Sequence, residues 1–173
     1  MHVVVMGASG SGKTTVALLL SQRAGLRYAE ADEFHSPANI AKMSAGSPLT
    51  DEDRLPWLHR LAAWVSDHDS RDAATVLACS ALRRHYRDIL AAAAPDVRFV
   101  HLAGSRDLLA SRLEHRTDHF MPTGLLDSQL QALEPLESDE PGCVLDVARS
   151  PEDLAHSALL HLGLVPNERH ERP

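Results

Sequence analysis

The residues of this chain with the clearest chemical meaning form a glycine-rich loop near its N-terminus. They match the pattern G-x-x-x-x-G-K-[ST], follow a short apolar run and precede a helical pattern. In such a loop, backbone N–H groups surround an anion, the lysine reaches the β- and γ-phosphates, and the hydroxyl ligates Mg²⁺. A Gly/Ser-rich turn that matches by chance is the alternative, and the flanking strand and helix patterns argue against it. The sequence therefore predicts a site for ATP and Mg²⁺, with Lys13 catalytic, Thr14 as metal ligand and nucleotide contacts from Gly7, Ala8, Ser9, Gly10, Ser11, Gly12, Lys13 and Thr14.

A second chemical group follows the second predicted strand, where residues 30–35 read E-A-D-E-F-H. An acceptor hydroxyl would meet the γ-phosphate at this edge of the sheet, and Asp32 could take its proton or hold it by a hydrogen bond. Because the transition state of phosphoryl transfer is loose, positioning is expected to matter more than full base catalysis. A turn or helix cap is the alternative role for Asp32. The sequence lacks the guanine-reading N-K-x-D, and the D-x-x-G at 139–142 precedes a strand, so a small-molecule kinase is favoured over a GTPase.

A charged segment at 112–124 predicts a lid over the nucleotide. Arg112 and Arg116 lie one helical turn apart, so both could face the same phosphates and stabilise the γ-phosphate during transfer. A solvated basic face is the alternative. His115 and His119 also have the i, i+4 spacing of metal ligands, but no third ligand lies in register, and zinc is not expected.

Short apolar runs separated by helical patterns would position these groups. The predicted strands are His2–Met6, Arg27–Ala31, Thr75–Cys79, Arg98–Leu102 and Cys143–Val147, and the predicted helices are 13–24, 51–68, 82–94, 105–115, 124–133 and 151–162. This alternation is typical of an α/β fold whose parallel sheet has helices on both faces and ligands at the carboxyl ends of its strands. Thr50 is expected to cap the second helix, and Trp57 and Trp64 are interpreted as core residues from their helical spacing.

The composition narrows the class of protein. At 173 residues, the chain predicts one domain over 1–165 with a polar tail at 166–173. A net charge of −7 without a basic stretch argues against nucleic acid as a partner. No apolar run approaches the roughly 20 residues that span a bilayer, and the first strand leaves no room for a signal peptide. Cys79 and Cys143 are expected to be buried thiols rather than a disulfide, which indicates the cytoplasm.

Longer motifs resemble the bacterial gluconate kinase (gluconokinase) family. They read D-E-F-H-S-P-A-N-I-A-K-M at 32–43, G-S-P-L-T-D-E-D-R at 46–54, P-W-L at 56–58, C-S-A-L-R-R-H-Y-R-D at 79–88, S-R-L at 111–113, H-F-M at 119–121 and L-E-P at 133–135. The resemblance covers nearly the whole chain. It departs at Arg83-Arg84, where members of the family carry a lysine pair; charge is kept, but hydrogen-bonding geometry differs.

The resemblance implies ATP-dependent phosphorylation of D-gluconate at its terminal hydroxyl, an adenylate-kinase-like fold of about five strands, Mg²⁺ and a homodimer. Gluconate is a linear polyol with one carboxylate, so its site needs a cation and several hydrogen-bonding groups. Arg54 could offer a planar fork to the carboxylate, although a surface ion pair is its alternative role. The expected hydroxyl partners are Asp32, His35, Asn39 and Ser80, and Lys42 and Arg84 are further candidates for the anionic end. A shikimate- or nucleotide-kinase-like enzyme and a non-catalytic ATP-binding protein are the competing hypotheses.

Overall fold

The computed structural model describes residues 1–115 and 123–164, and these form a five-stranded parallel sheet. Its strands are β1 (His2–Met6), β2 (Arg27–Glu30), β3 (Thr75–Ala78), β4 (Val97–Ala103) and β5 (Gly142–Asp146). They lie in the order β2-β3-β1-β4-β5. Residues 2–5 of β1 align with 75–78 of β3, and residues 2–6 align with 97–101 of β4. The central position of β1 explains why all five of its residues are buried.

Helices cover both faces of the sheet, as the sequence predicts. They are α1 (Lys13–Ala24), α2 (Pro37–Ser44), α3 (Asp51–Asp69), α4 (Arg84–Ala91), α5 (Arg106–Glu114), α6 (Thr123–Ala132) and α7 (Pro151–Leu162). Successive side chains of a strand point to opposite faces, so Val3 and Val5 pack into the core under α1, α5 and α7. Val4 and Met6 pack into the other core, under α3 and α4.

Two short elements after β2 were not predicted. A 3-10 turn covers Ala31–Phe34, and α2 follows it directly. The Ser36 side chain caps α2 by accepting a hydrogen bond from the backbone N–H of Asn39, and Pro37 occupies the first helical turn. A capping serine followed by proline is a known helix-start signal. The helix has only eight residues, too few to show a clear apolar period.

The first turn of α3 is fixed by its cap. The Thr50 hydroxyl accepts from the Asp53 backbone N–H at 3.3 Å, and the Asp53 carboxylate accepts from the Thr50 N–H at 2.7 Å, which is a capping box. Trp57 is buried and donates its indole N–H to the Ala31 carbonyl at 2.7 Å, so α3 is tied to the turn after β2. The predicted cap and the core role of Trp57 are confirmed.

Both cysteines are free and buried, as expected from the sequence. Among the described helices, none combines the length and apolar character needed to cross a membrane.

Candidate active site

The phosphate-binding motif forms the loop between β1 and α1, at the carboxyl edge of the sheet. Gly7 has φ 140°, and a Cβ there would lie 2.6 Å from the Leu102 carbonyl oxygen of β4. Gly10 has φ 81°, and a Cβ would lie 2.8 Å from the Leu109 carbonyl oxygen of α5. Only glycine fits both the backbone conformation and the space, so the loop is held tightly between two neighbouring elements.

The polar groups of this loop suit an anionic ligand and its cation. Ser11 is fully buried, and its hydroxyl has no hydrogen-bond partner among the described residues, so it can serve a ligand oxygen. Lys13 lies at the first position of α1 and donates from Nζ to the Ala8 carbonyl at 3.2 Å. Thr14 donates its hydroxyl proton to Glu30 Oε2 at 2.8 Å, which leaves the hydroxyl lone pairs available for a cation.

Glu30 was not recognised as a site residue from the sequence. It ends β2 two positions before Asp32, and its Oε2 accepts from Thr14 and also from the Tyr28 hydroxyl at 2.7 Å. Burial of Tyr28 and its hydrogen bond to Glu30 raise the pKa of Tyr28 well above its usual value, so it stays a neutral donor. Glu30 is thereby fixed as an acceptor beside the expected metal ligand. Its place in the E-x-D pattern is a signal that the sequence did contain.

A cavity of about 470 Å³ opens in front of the loop. Its walls include Gly10, Lys13, Thr14, Glu30, Asp32 and Arg112. Arg112 extends from α5 and donates to the Val147 carbonyl at 2.6 Å, which anchors its guanidinium at this cavity. The second predicted lid arginine, Arg116, and His119 lie outside the described residues.

An adjoining cavity of about 140 Å³ holds most of the expected acceptor-binding residues. Lys13, Glu30 and Asp32 line both cavities, whereas His35, Arg54 and Ser80 line the second cavity but not the first. The acceptor cavity therefore begins where the phosphate cavity ends. Such a junction is what transfer of a phosphoryl group between two bound molecules requires.

His35 is a rigid, neutral part of this wall. Its ring stacks on Trp57 with centroids 4.5 Å apart, and its Nε2 lies 4.0 Å from Asp32 Oδ1. Burial lowers the pKa of His35; the Asp32 carboxylate opposes this effect in part and the cations Arg54 and Arg60 add to it, so the ring is uncharged near pH 7. The Asn39 amide lies 3.5 Å from His35 Nδ1, which favours a proton on the Nε2 that faces Asp32.

Two other predicted substrate residues lie behind the cavity wall rather than on it. The buried Asn39 amide donates to the Asp53 backbone carbonyl at 2.9 Å. Lys42 forms an ion pair with the Asp53 carboxylate. The Lys42 ammonium and hydrogen bonds from Thr50 lower the pKa of Asp53 to about 2, so this pair persists over the whole neutral range. Asn39 and Lys42 link α2 to the start of α3 and do not face either cavity.

Arg84 is likewise placed away from the cavities, which differs from the sequence-based expectation. Its guanidinium binds Asp88 at 2.7 Å and Asp139 at 2.8 and 3.0 Å. The reason is the start of α4, which begins at Arg84 instead of residue 82. Residue 83 is consequently extended, and it is Arg83 whose side chain reaches a recess beside Arg54.

Gln129 is a further residue that sequence reasoning missed. It lies on α6, lines the acceptor cavity and accepts from the backbone N–H of Ser9 in the phosphate loop at 2.7 Å. No local pattern could reveal a contact between residues 120 positions apart. This contact joins the helix after the lid segment to the phosphate loop.

Comparisons with known proteins show which proteins this chain is similar to. The sequence profile of the AAA domain family matches residues 3–136. A gluconokinase from Gluconobacter oxydans is 44% identical over 159 residues, which cover 92% of this chain and 89% of that protein. A crystal structure of a gluconokinase from Sinorhizobium meliloti 1021 has a TM-score of 0.84 and 43% identity, and covers 94% of this chain and 91% of its own. An unliganded sugar kinase from Janibacter sp. HTCC2649 has a TM-score of 0.91 and 52% identity, and covers 94% of each chain.

Proposed function

This chain belongs to the gluconokinase family, and on that premise we propose that it transfers the γ-phosphate of ATP to the terminal hydroxyl of D-gluconate. The products are 6-phospho-D-gluconate and ADP. The observation that carries this assignment is the shared wall of the two cavities, where Lys13, Glu30 and Asp32 face the donor and the acceptor at once.

On the donor side, the chain supplies a cradle for the phosphates of ATP. The backbone N–H groups of the loop and the start of α1 bind the phosphates, and the Lys13 ammonium offsets charge that develops on the γ-phosphate. Arg112 adds a second cation from α5, and Arg116 is proposed to join it from the lid. Thr14 would hold Mg²⁺, with Glu30 orienting the Thr14 hydroxyl. The metal would neutralise phosphate charge when bound.

On the acceptor side, Asp32 accepts the hydrogen bond of the terminal hydroxyl. The hydroxyl oxygen forms a bond to the γ-phosphorus, the bond from this phosphorus to the bridging oxygen breaks, and the electron pair leaves with ADP. The hydroxyl proton passes to Asp32 and then to solvent. The neutral His35 ring and the Ser80 hydroxyl are available to the sugar hydroxyls, while Asn39 supports His35 from behind.

The carboxylate end of gluconate is assigned to Arg54. This side chain lines the acceptor cavity, and among the described residues no carboxylate lies within ion-pair distance of its guanidinium. The ring centre of Tyr86 lies 5.9 Å from the guanidinium carbon of Arg54. Arg54 is therefore positioned by packing and keeps its hydrogen-bond donors for a ligand.

A coupled assay of ADP release tests the function directly. Gluconate, shikimate, nucleoside monophosphates and related sugar acids are offered as acceptors, with a reaction lacking an acceptor as the baseline. We expect ADP release above the baseline with gluconate, and Lys13→Ala serves as the inactive control. Turnover with gluconate no faster than the baseline would refute the assignment, and ATP binding without turnover on any acceptor would indicate a non-catalytic protein.

The assembly and compartment follow from the same assignment. A homodimer is proposed from the family resemblance. Light scattering on the purified protein after size-exclusion chromatography should then give twice the mass of one chain, and the mass of a single chain would contradict the proposal. A reducing cytoplasm is proposed because Cys79 and Cys143 are free and buried.

A further inference from the structure

A recess of about 180 Å³ continues the acceptor cavity away from the reacting groups. The two share five wall residues, which are Pro48, Leu49, Arg54, Ser128 and Gln129. Asp32 and Lys13, which mark the reacting end, do not line the recess. A linear acceptor whose terminal hydroxyl lies at Asp32 therefore extends its other end toward this recess.

The charged groups on the wall of the recess are two arginines and one aspartate. Arg83 donates from Nη1 to both carboxylate oxygens of Asp51, at 3.0 and 2.7 Å. The Tyr86 hydroxyl also donates to Asp51, and this hydrogen bond, with the nearby arginines, lowers the Asp51 pKa, so the group stays an anion. Two cations and one anion leave this end of the pocket with one net positive charge.

The neighbouring residues Arg83 and Arg84 differ in how many of their guanidinium N–H groups are left to bind a ligand. In Arg84, Nε, Nη1 and Nη2 all donate to carboxylates of the protein. In Arg83, only Nη1 has a partner among the described residues, so Nε and Nη2 are available to a ligand. Asp51 thus holds one edge of the Arg83 guanidinium and leaves another edge open, beside the guanidinium of Arg54, which forms no ion pair with any carboxylate of the described residues.

We propose that Arg83, together with Arg54, binds the carboxylate of the acceptor in this recess. The inference rests on the proposed function and adds a specificity-determining residue to it. Nε and Nη2 of one guanidinium form the fork that matches a carboxylate. The single net positive charge suits a monoanionic sugar acid better than an uncharged polyol of the same length.

The test compares the effect of Arg83 on a charged and an uncharged acceptor. D-Glucitol has the hydroxyls of D-gluconate but a hydroxymethyl group in place of the carboxylate, and it is measured both as an acceptor and as a competitor of gluconate. Arg83→Gln should lower kcat/KM for gluconate about 10- to 100-fold, chiefly through KM, because a charge-assisted hydrogen-bond pair is lost. For D-glucitol, kcat/KM as an acceptor and the inhibition constant as a competitor should change less than about twofold, and so should the KM for ATP.

Arg84→Gln is the matched control, because it removes the adjacent arginine and should leave both acceptors unaffected. Arg83→Lys keeps the charge and should recover part of the loss. The proposal is overturned if Arg83→Gln lowers kcat/KM equally for gluconate and D-glucitol, or if it does not lower kcat/KM for gluconate at all. It is also overturned if Arg84→Gln lowers kcat/KM for gluconate as much as Arg83→Gln does. If Arg83→Gln does not fold, as judged by thermal unfolding, the test uses Arg83→Lys instead. The ratio of kcat/KM for gluconate to kcat/KM for D-glucitol should then be lower in Arg83→Lys than in the wild type, and an unchanged ratio overturns the proposal. The wild-type rate with gluconate separately tests the proposed function.

Discussion

The buried guanidinium of Arg87 allows a quantitative test of how the acceptor side of the site is held together. Arg87 is fully buried on α4 and pairs with Glu140, whose side chain is only 5% exposed. It also donates to four backbone carbonyls, those of Ala81, Leu82, Glu134 and Pro135, at 3.0–3.4 Å. One side chain thus joins the loop after β3 to the segment after α6.

Replacing Arg87 by methionine keeps much of the volume but leaves the Glu140 carboxylate and these carbonyls without donors. Breaking a buried ion pair from one side costs about 3–5 kcal/mol of unfolding free energy. For a chain of this size, each kcal/mol shifts the Tm by roughly 2–4 °C, so the variant should melt roughly 6–20 °C below the wild type. Because the recess lies against this loop, KM for gluconate should also rise.

Differential scanning calorimetry measures the shift, and Arg84→Met on the same helix is the control. The two carboxylates that accept hydrogen bonds from the Arg84 side chain, those of Asp88 and Asp139, are exposed and can be rehydrated, while Glu140 at 3.8 Å keeps its partner Arg87, so loss of Arg84 should lower the Tm much less than loss of Arg87. The double variant Arg87→Met/Glu140→Gln should be less destabilised than Arg87→Met alone, because no buried charge is left unpaired. A Tm within 2 °C of wild type for Arg87→Met, or equal losses for Arg87→Met and Arg84→Met, would refute the reasoning.

The pair also predicts a dependence on pH. Burial raises the pKa of Glu140, but the hydrogen bonds from Arg87 and from the Glu137 backbone N–H, together with the charges of Arg87 and Arg84, outweigh this effect, so the folded-state pKa lies below the usual value. A depressed folded-state pKa stabilises the protein above the usual carboxyl pKa, and this stabilisation is lost as the pH falls through the folded-state value. Wild type should therefore lose more stability than Arg87→Met/Glu140→Gln below about pH 4.5. If the unfolding free energy of the wild type and of the double variant fell by the same amount between pH 7 and pH 3, the prediction would be wrong.

The other predictions concern the reacting groups and are measured by steady-state kinetics. Lys13→Ala should lower kcat at least about 100-fold, because a cation facing the γ-phosphate is lost, and normal turnover in a folded variant would exclude that role. Asp32→Asn should lower kcat by roughly 100-fold or more with little change in KM for ATP, and an unchanged kcat would make Asp32 structural. Arg54→Leu should raise KM for gluconate and leave KM for ATP unaltered; the opposite pattern would assign Arg54 to the nucleotide.

Local patterns were sufficient for most of the fold. The strands β1, β3 and β4 are short, largely apolar runs bounded by turns, and their burial in a parallel sheet makes them easy to recognise. The phosphate loop was equally clear, because its glycine positions are dictated by backbone conformation within a few residues. The eight-residue α2 was missed because it is too short to show an apolar period, although Ser36 and Pro37 mark its start.

The site was harder to predict where it depends on distant contacts. The buried pair of Arg87 with Glu140 joins residues 53 positions apart, and charged residues are ordinarily expected at the surface. Which of Arg83 and Arg84 reaches the recess depends on a two-residue shift in the start of α4, and helix boundaries are the least certain feature of a sequence pattern. Gln129 belongs to the site only through packing of α6 against the phosphate loop.

The most direct test of the central claim is to identify the phosphorylated product. Purified protein is incubated with ATP, Mg²⁺ and D-gluconate, and 6-phospho-D-gluconate is measured by the reduction of NADP⁺ with 6-phosphogluconate dehydrogenase. With D-gluconate as the acceptor, we predict one NADPH for each ADP released, and no NADPH when Ala replaces Lys13 or when gluconate is left out. ADP release without NADPH, or no gluconate-dependent reaction in the folded protein, would contradict the account.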